Sequence, residues 1–341
     1  MNQINSTYKR EVYMNYVKAF AIVAMVIGHT DSPINQYIYQ YHMALFMFVS
    51  GYFYKDEYTQ TPINLILRRL KSLYLPFVCY NLFFIIMCNV LNVAGVIERS
   101  YNIFNLQNFK TFVKSMLSFN AYVSYLGGFW FVKTLFIVTV CFCVLSFVLN
   151  VLKLRKEWIR ALIILAIYAA EWVILYNDIS LSKNIIQAPM ALPIYYLGYL
   201  FHKYKSRIKL NFYCFILSII LIFINAHFGI VDMDSLTYTG PIFYIISSLA
   251  GICINIYISD LIYKKWGNVK YLNFIGESTY IILAFHLLTK ELMYNIINYF
   301  NMGDIWGIWI IDVLIAVNVS LLLNIVWQHI KKYVKNKFIK N

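Results

Sequence analysis

The sequence predicts an all-α fold: a polytopic membrane helix bundle of about ten transmembrane helices, with N- and C-termini cytoplasmic. The composition points there first, because 61% of the 341 residues are hydrophobic and only 13% charged, far from the usage of a water-soluble domain. Long apolar runs recur from Tyr13 to Gln328, separated by short polar segments, and no alternating pattern of barrel strands appears. Lys and Arg then gather in alternate connections, which orients the bundle.

In chain order the apolar runs cover about 14–30, 38–54, 73–93, 129–151, 159–176, 188–202, 211–229, 239–263, 271–297 and 305–329. A cytosolic segment, 1–12, precedes the first. A polar turn joins the first two and returns the chain to the inside, where Lys55, Arg68, Arg69 and Lys71 lie. Before the third run, TPINLILRRLKSLYLPF has Thr61 at an N-cap position and Pro62 at the first helical position. Ile66, Leu67 and Leu70 beside Arg68, Arg69 and Lys71 make it an interfacial basic helix. The connection from Ala94 to Gly128 repeats Leu106, Phe109, Phe112, Val113, Met116 and Leu117 at helical spacing, and reads as a partial cover on the outer leaflet.

The later inner connections carry Lys153, Arg155, Lys156 and Arg160, then Lys203, Lys205, Arg207 and Lys209, then Lys264, Lys265 and Lys270. A basic tail, 330–341, closes the chain, whereas the opposite side holds only Arg99, Lys110, Lys114 and Lys183. The net charge of +14 is therefore explained by orientation and anionic lipid, with no nucleic acid partner. The first run lacks a small-residue cleavage pattern, so no removable leader is expected. All six cysteines fall within apolar runs and imply neither disulfide nor metal; Cys141 and Cys143 would point to different helix faces. One integral domain over 1–341, without a repeat of fixed period, is the expected organisation.

Ionisable groups inside a bilayer cost about 2.5–3.5 kcal/mol near the centre of a span, so each marks a candidate site. They are Lys18, His29, His42, Lys133, Glu171, His286, Lys290 and Asp312. Lys18 and His29 are eleven positions apart, which on a helix puts them on one face about 16 Å apart along the axis. Lys18 as an interfacial anchor and His29 as a marker of the far interface is the plain alternative. His42 opens the second run as His29 nearly closes the first, so an antiparallel turn brings two imidazoles to similar depth, a better base or nucleophile than either alone. Asp31 is the one nearby group that could join them on a metal, so no metal is predicted.

His286 and Glu171 share that depth and are expected to hydrogen-bond each other or backbone, while Lys133 and Asp312 suggest a buried pair. His227 reads as interfacial. Tyr37, Tyr39, Tyr41, Tyr125, Phe129, Trp130 and Phe131 crowd the same ends, as an interfacial belt or as stacking faces for a sugar ring.

The stretches NYVKAFAIVAMVIGHT and YHMALFMFVSGYFYK, followed by FWFVKTLFIV, LPIYYLGYLFHK and YLNFIGESTYIILAFH, resemble the acyltransferase-three family of integral membrane proteins. Within it they are similar to the fucose 4-O-acetylase-like, polysaccharide O-acetyltransferase group. The resemblance implies transfer of an acyl group, usually acetyl, from acetyl-CoA to a hydroxyl of a cell-surface glycan or a lipid-linked saccharide precursor. It implies that His29 and Lys18, where many members have Arg, mark the active site, and that Arg69 matches a family arginine; His29 is then expected to be catalytic as general base or acyl-carrying nucleophile with His42 assisting, and Lys18, Arg68, Arg69 and Lys71 to meet the donor. Ser72 stands where the family tends to have a second spaced arginine, and Lys133 replaces a frequent proline. Trp130, Glu171 and His286 are expected to face the acceptor or support the histidines. The rival reading is a transporter or exporter of glycan or small solute, which would more readily show inverted repeats and paired broken helices.

Overall fold

The computed structural model describes residues 2–339 apart from 94, 96–105, 121, 178, 180–182, 205–207, 209 and 301–306. Arg99, Lys205, Arg207, Lys209 and Lys340, part of the charge pattern above, lie outside the described residues. The rest is a helical bundle. Among the described residues six helical stretches are long and apolar enough to cross a membrane: Pro62–Val93, Ser124–Val151, Glu157–Tyr176, Pro241–Trp266, Thr279–Tyr299 and Ile308–Tyr333. Val12–Gly28 and Phe212–Phe228 are shorter apolar helices.

The chain opens with α1 (Asn2–Gly28), a short α2 (Asn35–Tyr39) and α3 (His42–Tyr52). The second predicted run is therefore divided, with Gln40 and Tyr41 between two helices. At 1.5 Å per residue the 11 residues of α3 reach about 16 Å, half of a hydrocarbon core of about 30 Å. Its apolarity has another cause: all of α3 except Phe46 and Ser50 is buried within the protein. A helix that is hydrophobic all round reads the same whether lipid or protein covers it.

Next come α4 (Pro62–Arg69), a π turn over Leu70–Tyr74, and α5 (Leu75–Val93). Thr61 and Pro62 take the predicted cap and first-turn positions, but the Thr61 hydroxyl donates to the Glu57 carbonyl and leaves the helix uncapped. In the predicted covering segment, α6 (Leu106–Leu117) packs Met116, Phe109, Phe112 and Val113 against the core. A tight turn over Ser124–Phe129 leads into α7 (Trp130–Val151), followed by α8 (Glu157–Tyr176), α9 (Lys183–Tyr204) and α10 (Phe212–Phe228).

A small antiparallel hairpin, β1 (Val231–Asp232) and β2 (Thr237–Tyr238), separates α10 from α11 (Pro241–Trp266). The ninth predicted run is divided at Ser278 into α12 (Lys270–Glu277) and α13 (Thr279–Tyr299), and α14 (Ile308–Ile339) ends the fold.

Two apolar clusters form the interior. The first joins α3, α7, α8, α9 and α11; the second joins α5, the 124–129 turn, α13 and α14. In a membrane the gain on burying such side chains is packing, since lipid is as apolar as protein. The closest packing is between α3 and α9, where a Cβ on Gly51 would lie 1.8 Å from the Tyr195 carbonyl oxygen and one on Gly198 would lie 1.9 Å from that of Phe48. Small residues are what allow two backbones to meet so closely.

α1 runs between the clusters and is pinned at one end. Tyr16 donates to the Gly267 carbonyl at 2.7 Å and accepts from the Val269 amide at 2.5 Å. Asn15 donates to Asn273 at 2.8 Å, and Asn273 to Glu277 at 2.7 Å.

Candidate active site

On α1, Met14, Val17 and Ala21 belong to the first cluster, and Ala19, Ile22, Met25 and Val26 to the second. Lys18, half-buried, projects at an azimuth between Met14 and Ile22, along the seam where the clusters meet. Phe46, Tyr122 and Leu135 pack against both clusters and line the same seam. On α3 the two residues left partly open, Phe46 and Ser50, continue one face from His42 at helical spacing. That face runs about 12 Å from His42 to Ser50. At its far end Arg69 donates to Ser50 Oγ at 3.1 Å, and Arg69 Nε is buried without a partner among the described residues.

The four predicted donor-binding cations therefore divide. Lys18 and Arg69 are half-buried. Arg68 is exposed and donates to the Tyr58 hydroxyl at 2.6 Å, and Lys71 is exposed on the π turn.

At the other end of the seam, His29 lies one residue beyond α1, in a turn closed by its amide to the Val26 carbonyl at 3.1 Å. This departs from the expectation of Lys18 and His29 on one continuous helix; the polar residues that follow Gly28 end it. The ring beside His29 is His286, with centroids 5.0 Å apart and planes at 42°. His42 opens α3 and packs edge-on against Tyr39 at 5.3 Å, while the Tyr39 hydroxyl donates to the Gly28 carbonyl at 3.1 Å. His42 is thereby tied to the end of α1 and stands within electrostatic reach of His29.

Two tautomers follow from the contacts. His42 Nδ1 lies 3.0 Å from the Ile38 carbonyl, and His286 Nδ1 lies 3.0 Å from that of Leu283 and 3.2 Å from that of Ile282. A carbonyl only accepts, so Nδ1 carries the proton in both neutral rings and Nε2 keeps its lone pair. His286 Nε2 is buried and has no partner among the described residues. The Gly127–Gly128 turn makes room for Leu283 beside this ring, since a Cβ on Gly128 would come within 2.6 Å of Leu283 Cδ1, while His286 Cε1 lies at an ordinary contact distance of 3.8 Å. Trp130, buried, follows directly at the start of α7. This arrangement places a buried imidazole lone pair, that of His286 Nε2, beside a half-buried seam at whose far end Arg69 meets Ser50.

A family model described as the acyltransferase domain, Acyl_transf_3, matches residues 11–326, the whole of the bundle from α1 into α14. The chain belongs to the acyltransferase-three family. It is accordingly a multi-pass membrane protein with the acyltransferase domain of that family. Neither a curated protein nor a solved structure matches it.

In this acyltransferase the remaining polar groups follow expectation in part. Of the two alternatives expected for His286 and Glu171, His286 takes the backbone one, through its own helix carbonyls, whereas Glu171 Oε1, buried on α8, has no partner among the described residues. Lys133 donates to Asn120 at 2.8 Å in place of Asp312, which stands within electrostatic reach of Lys290. Lys290 follows His286 by one helical turn, so the two share a face of α13.

The hairpin adds groups that periodicity does not mark. Asp232 and Asp234 are within electrostatic reach of His29. Burial pushes the Tyr122 phenol up, and Asp234 adds to the shift. Gln187 holds the hairpin by donating to the Met233 carbonyl at 2.8 Å and accepting from Thr134 at 2.8 Å. Gln40 supports its start through the Gly229 carbonyl at 3.0 Å.

Proposed function

We propose that the protein is a membrane O-acyltransferase of the polysaccharide O-acetyltransferase group, resident in the cell membrane. It moves an acetyl or other short acyl group from acyl-CoA to a hydroxyl of a cell-surface glycan or its lipid-linked precursor. The observation that carries this reading is the seam with cations at one end and His29, His286 and His42 at the other. CoA phosphates are too polar to enter hydrocarbon and stay at the Arg69 and Lys18 end, while the slender arm of the donor lies along the seam.

His29 is the general base. It takes the proton of the acceptor hydroxyl as that oxygen attacks the thioester carbonyl carbon, and returns a proton to the thiolate when the carbon–sulfur bond breaks. The His286 ring packs beside that of His29, and its Nε2 lone pair, without a hydrogen bond among the described residues, is available to the N–H that His29 gains on protonation, while His42 assists proton transfer. Trp130 faces the acceptor. Lys18 is a point charge toward the donor, without the forked geometry of an arginine.

The orientation follows from charge. Ten crossings, with α2 and α3 together making the second, put both termini and the basic connections in the cytoplasm. Backbone between α2 and α3 is tolerated at depth because protein covers it.

The test is transfer of labelled acetyl from acetyl-CoA to free and lipid-linked glycans by the protein in nanodiscs. Wild type is expected to acetylate a glycan and His29→Ala to lose the activity. Equal rates for the two proteins would overturn the role of His29.

A further inference from the structure

Two half-buried arginines are held in opposite ways. Arg160, at the start of α8, meets the Glu157 carboxylate at 2.9 Å, and Glu157 also takes Lys203 at 2.6 Å, so its charge is neutralised where it stands. Arg69 forms no ion pair among the described residues; the partner of its Nη2 is a hydroxyl, Ser50 Oγ, at 3.1 Å. A carboxylate orients a guanidinium and cancels its charge, whereas a hydroxyl orients it and leaves the charge in place. An unneutralised cation that is partly withdrawn from water is costly, and an anionic ligand removes that cost.

Ser50 is built to hold this geometry. It is one of two residues that leave the buried face of α3 partly open, at the end of the seam away from His42. The next residue, Gly51, is pressed against α9, where a Cβ would lie 1.8 Å from the Tyr195 carbonyl oxygen, so α9 fixes the backbone that carries the Ser50 hydroxyl. Tyr195 is itself fully buried, with its ring 5.2 Å from that of Phe142 on α7. Thr139, three residues before Phe142, shares that face of α7 and is equally buried. The Tyr195 hydroxyl lies beside Thr139, Arg69 and Ser50. Three helices thus bring neutral hydroxyls to one guanidinium.

We infer that Ser50 is a positioning residue of the donor site: its hydroxyl, fixed by the close packing of α3 on α9, holds Arg69 toward the anionic part of the donor without neutralising it. The inference rests on the reading of Arg69 as a donor-binding cation, and assigns Ser50 no contact with the reacting atoms.

The experiment is isothermal titration of acetyl-CoA into the full chain in nanodiscs, with a melting curve for each variant. Ser50→Ala should weaken binding about tenfold, the effect of losing one hydrogen bond to a charged group, and Ser50→Thr, which keeps the hydroxyl, should stay within about threefold of wild type. Ser50→Asp offers Arg69 a stronger partner but cancels its charge, and should weaken binding as much as Arg69→Ala; an anchor of purely structural purpose would be unharmed by it. In an Arg69→Ala background Ser50→Ala should cost nothing further, because the two residues act as one. In transfer assays the KM for acetyl-CoA should rise in Ser50→Ala while kcat holds within about twofold. Equal further loss in both backgrounds, or wild-type affinity in Ser50→Ala or Ser50→Asp, would overturn the positioning role alone if Arg69→Ala still weakens binding. Unchanged affinity in Arg69→Ala would sink the donor-site reading and the inference together. Acetyl-CoA binding that depends on both residues in a protein without transferase activity would sink the acyl-transfer reading and leave the positioning role standing.

Discussion

The His29 and His286 rings meet at 5.0 Å, although one follows the first helix and the other lies on α13 near the end of the chain. Because His286 Nδ1 is committed to backbone carbonyls, its Nε2 is the atom left to accept a hydrogen bond from the protonated His29. Replacing His29 by Ala should lower kcat by about 10²–10⁴-fold, the usual worth of a positioned base. His286→Phe keeps the ring volume and removes the acceptor, so kcat should fall about tenfold with the KM for acetyl-CoA unchanged. A rise in that KM with kcat intact would move His286 from the base to the donor site.

The two adjacent arginines should behave unequally. Arg69 points at Ser50 at the cation end of the seam, whereas Arg68 is exposed and bonds Tyr58 at the surface. Arg69→Ala is expected to weaken acetyl-CoA binding about tenfold or more, and Arg68→Ala by less than about threefold, since exposed charge pairs contribute ~1 kcal/mol at most. Lys18→Gln should fall between them. Isothermal titration with acetyl-CoA distinguishes these outcomes, and an Arg68 effect larger than that of Arg69 would contradict the placement of Arg69 at the seam.

Orientation has its own measurement. Cysteines placed at Lys55 and Lys331 should be shielded from a membrane-impermeant maleimide in intact cells, and one at Lys114 should be labelled. Labelling at Lys331 without lysis would overturn the positive-inside assignment.

Helices were readable wherever lipid or core demands an apolar face, and α4, α6 and the long helices fall where hydropathy and spacing put them. Hydropathy could not tell that α3 is covered by α9 on one side and α1 on another, because protein and lipid select the same side chains. His29, His42 and His286 stood out as costly groups, but which pair would meet is a tertiary fact with no local signal. Lys290 could have been tied to His286 by their spacing of one turn. Asp232 and Asp234 could not, because a two-residue strand carries no usable period.

The contact between α3 and α9 predicts a narrow tolerance for side-chain volume. At Gly198 a Cβ would meet backbone 1.9 Å away, which no rotamer relieves, so the helices must separate. Gly198→Val should lower thermal stability by at least ~1–3 kcal/mol, the range for overpacked interiors. Gly240→Ala is the control, since its Cβ would find nothing nearer than Phe243 at 3.9 Å, and should change stability by less than about 0.5 kcal/mol. A melting curve for Gly198→Val that matches wild type would show that α3 and α9 pack less closely than described.

Gln187 is where a substitution should separate hairpin order from fold stability. Its amide spans from the Thr134 hydroxyl on α7 to the Met233 carbonyl in the hairpin, and all three groups are buried at that contact. Gln187→Leu keeps the volume but leaves a hydroxyl and a carbonyl unsatisfied, at ~1–3 kcal/mol each. Thr134 can fall back on the Trp130 carbonyl at 3.2 Å within its own helix. The Met233 carbonyl can recover a partner only by reaching water, which requires the hairpin to open. The expected result is faster amide hydrogen exchange over residues 231–238 with protection in α7 and α9 retained, together with slower transfer as Asp232 and Asp234 leave the neighbourhood of His29. Unchanged exchange in the hairpin would show that Gln40, through the Gly229 carbonyl, is its main anchor.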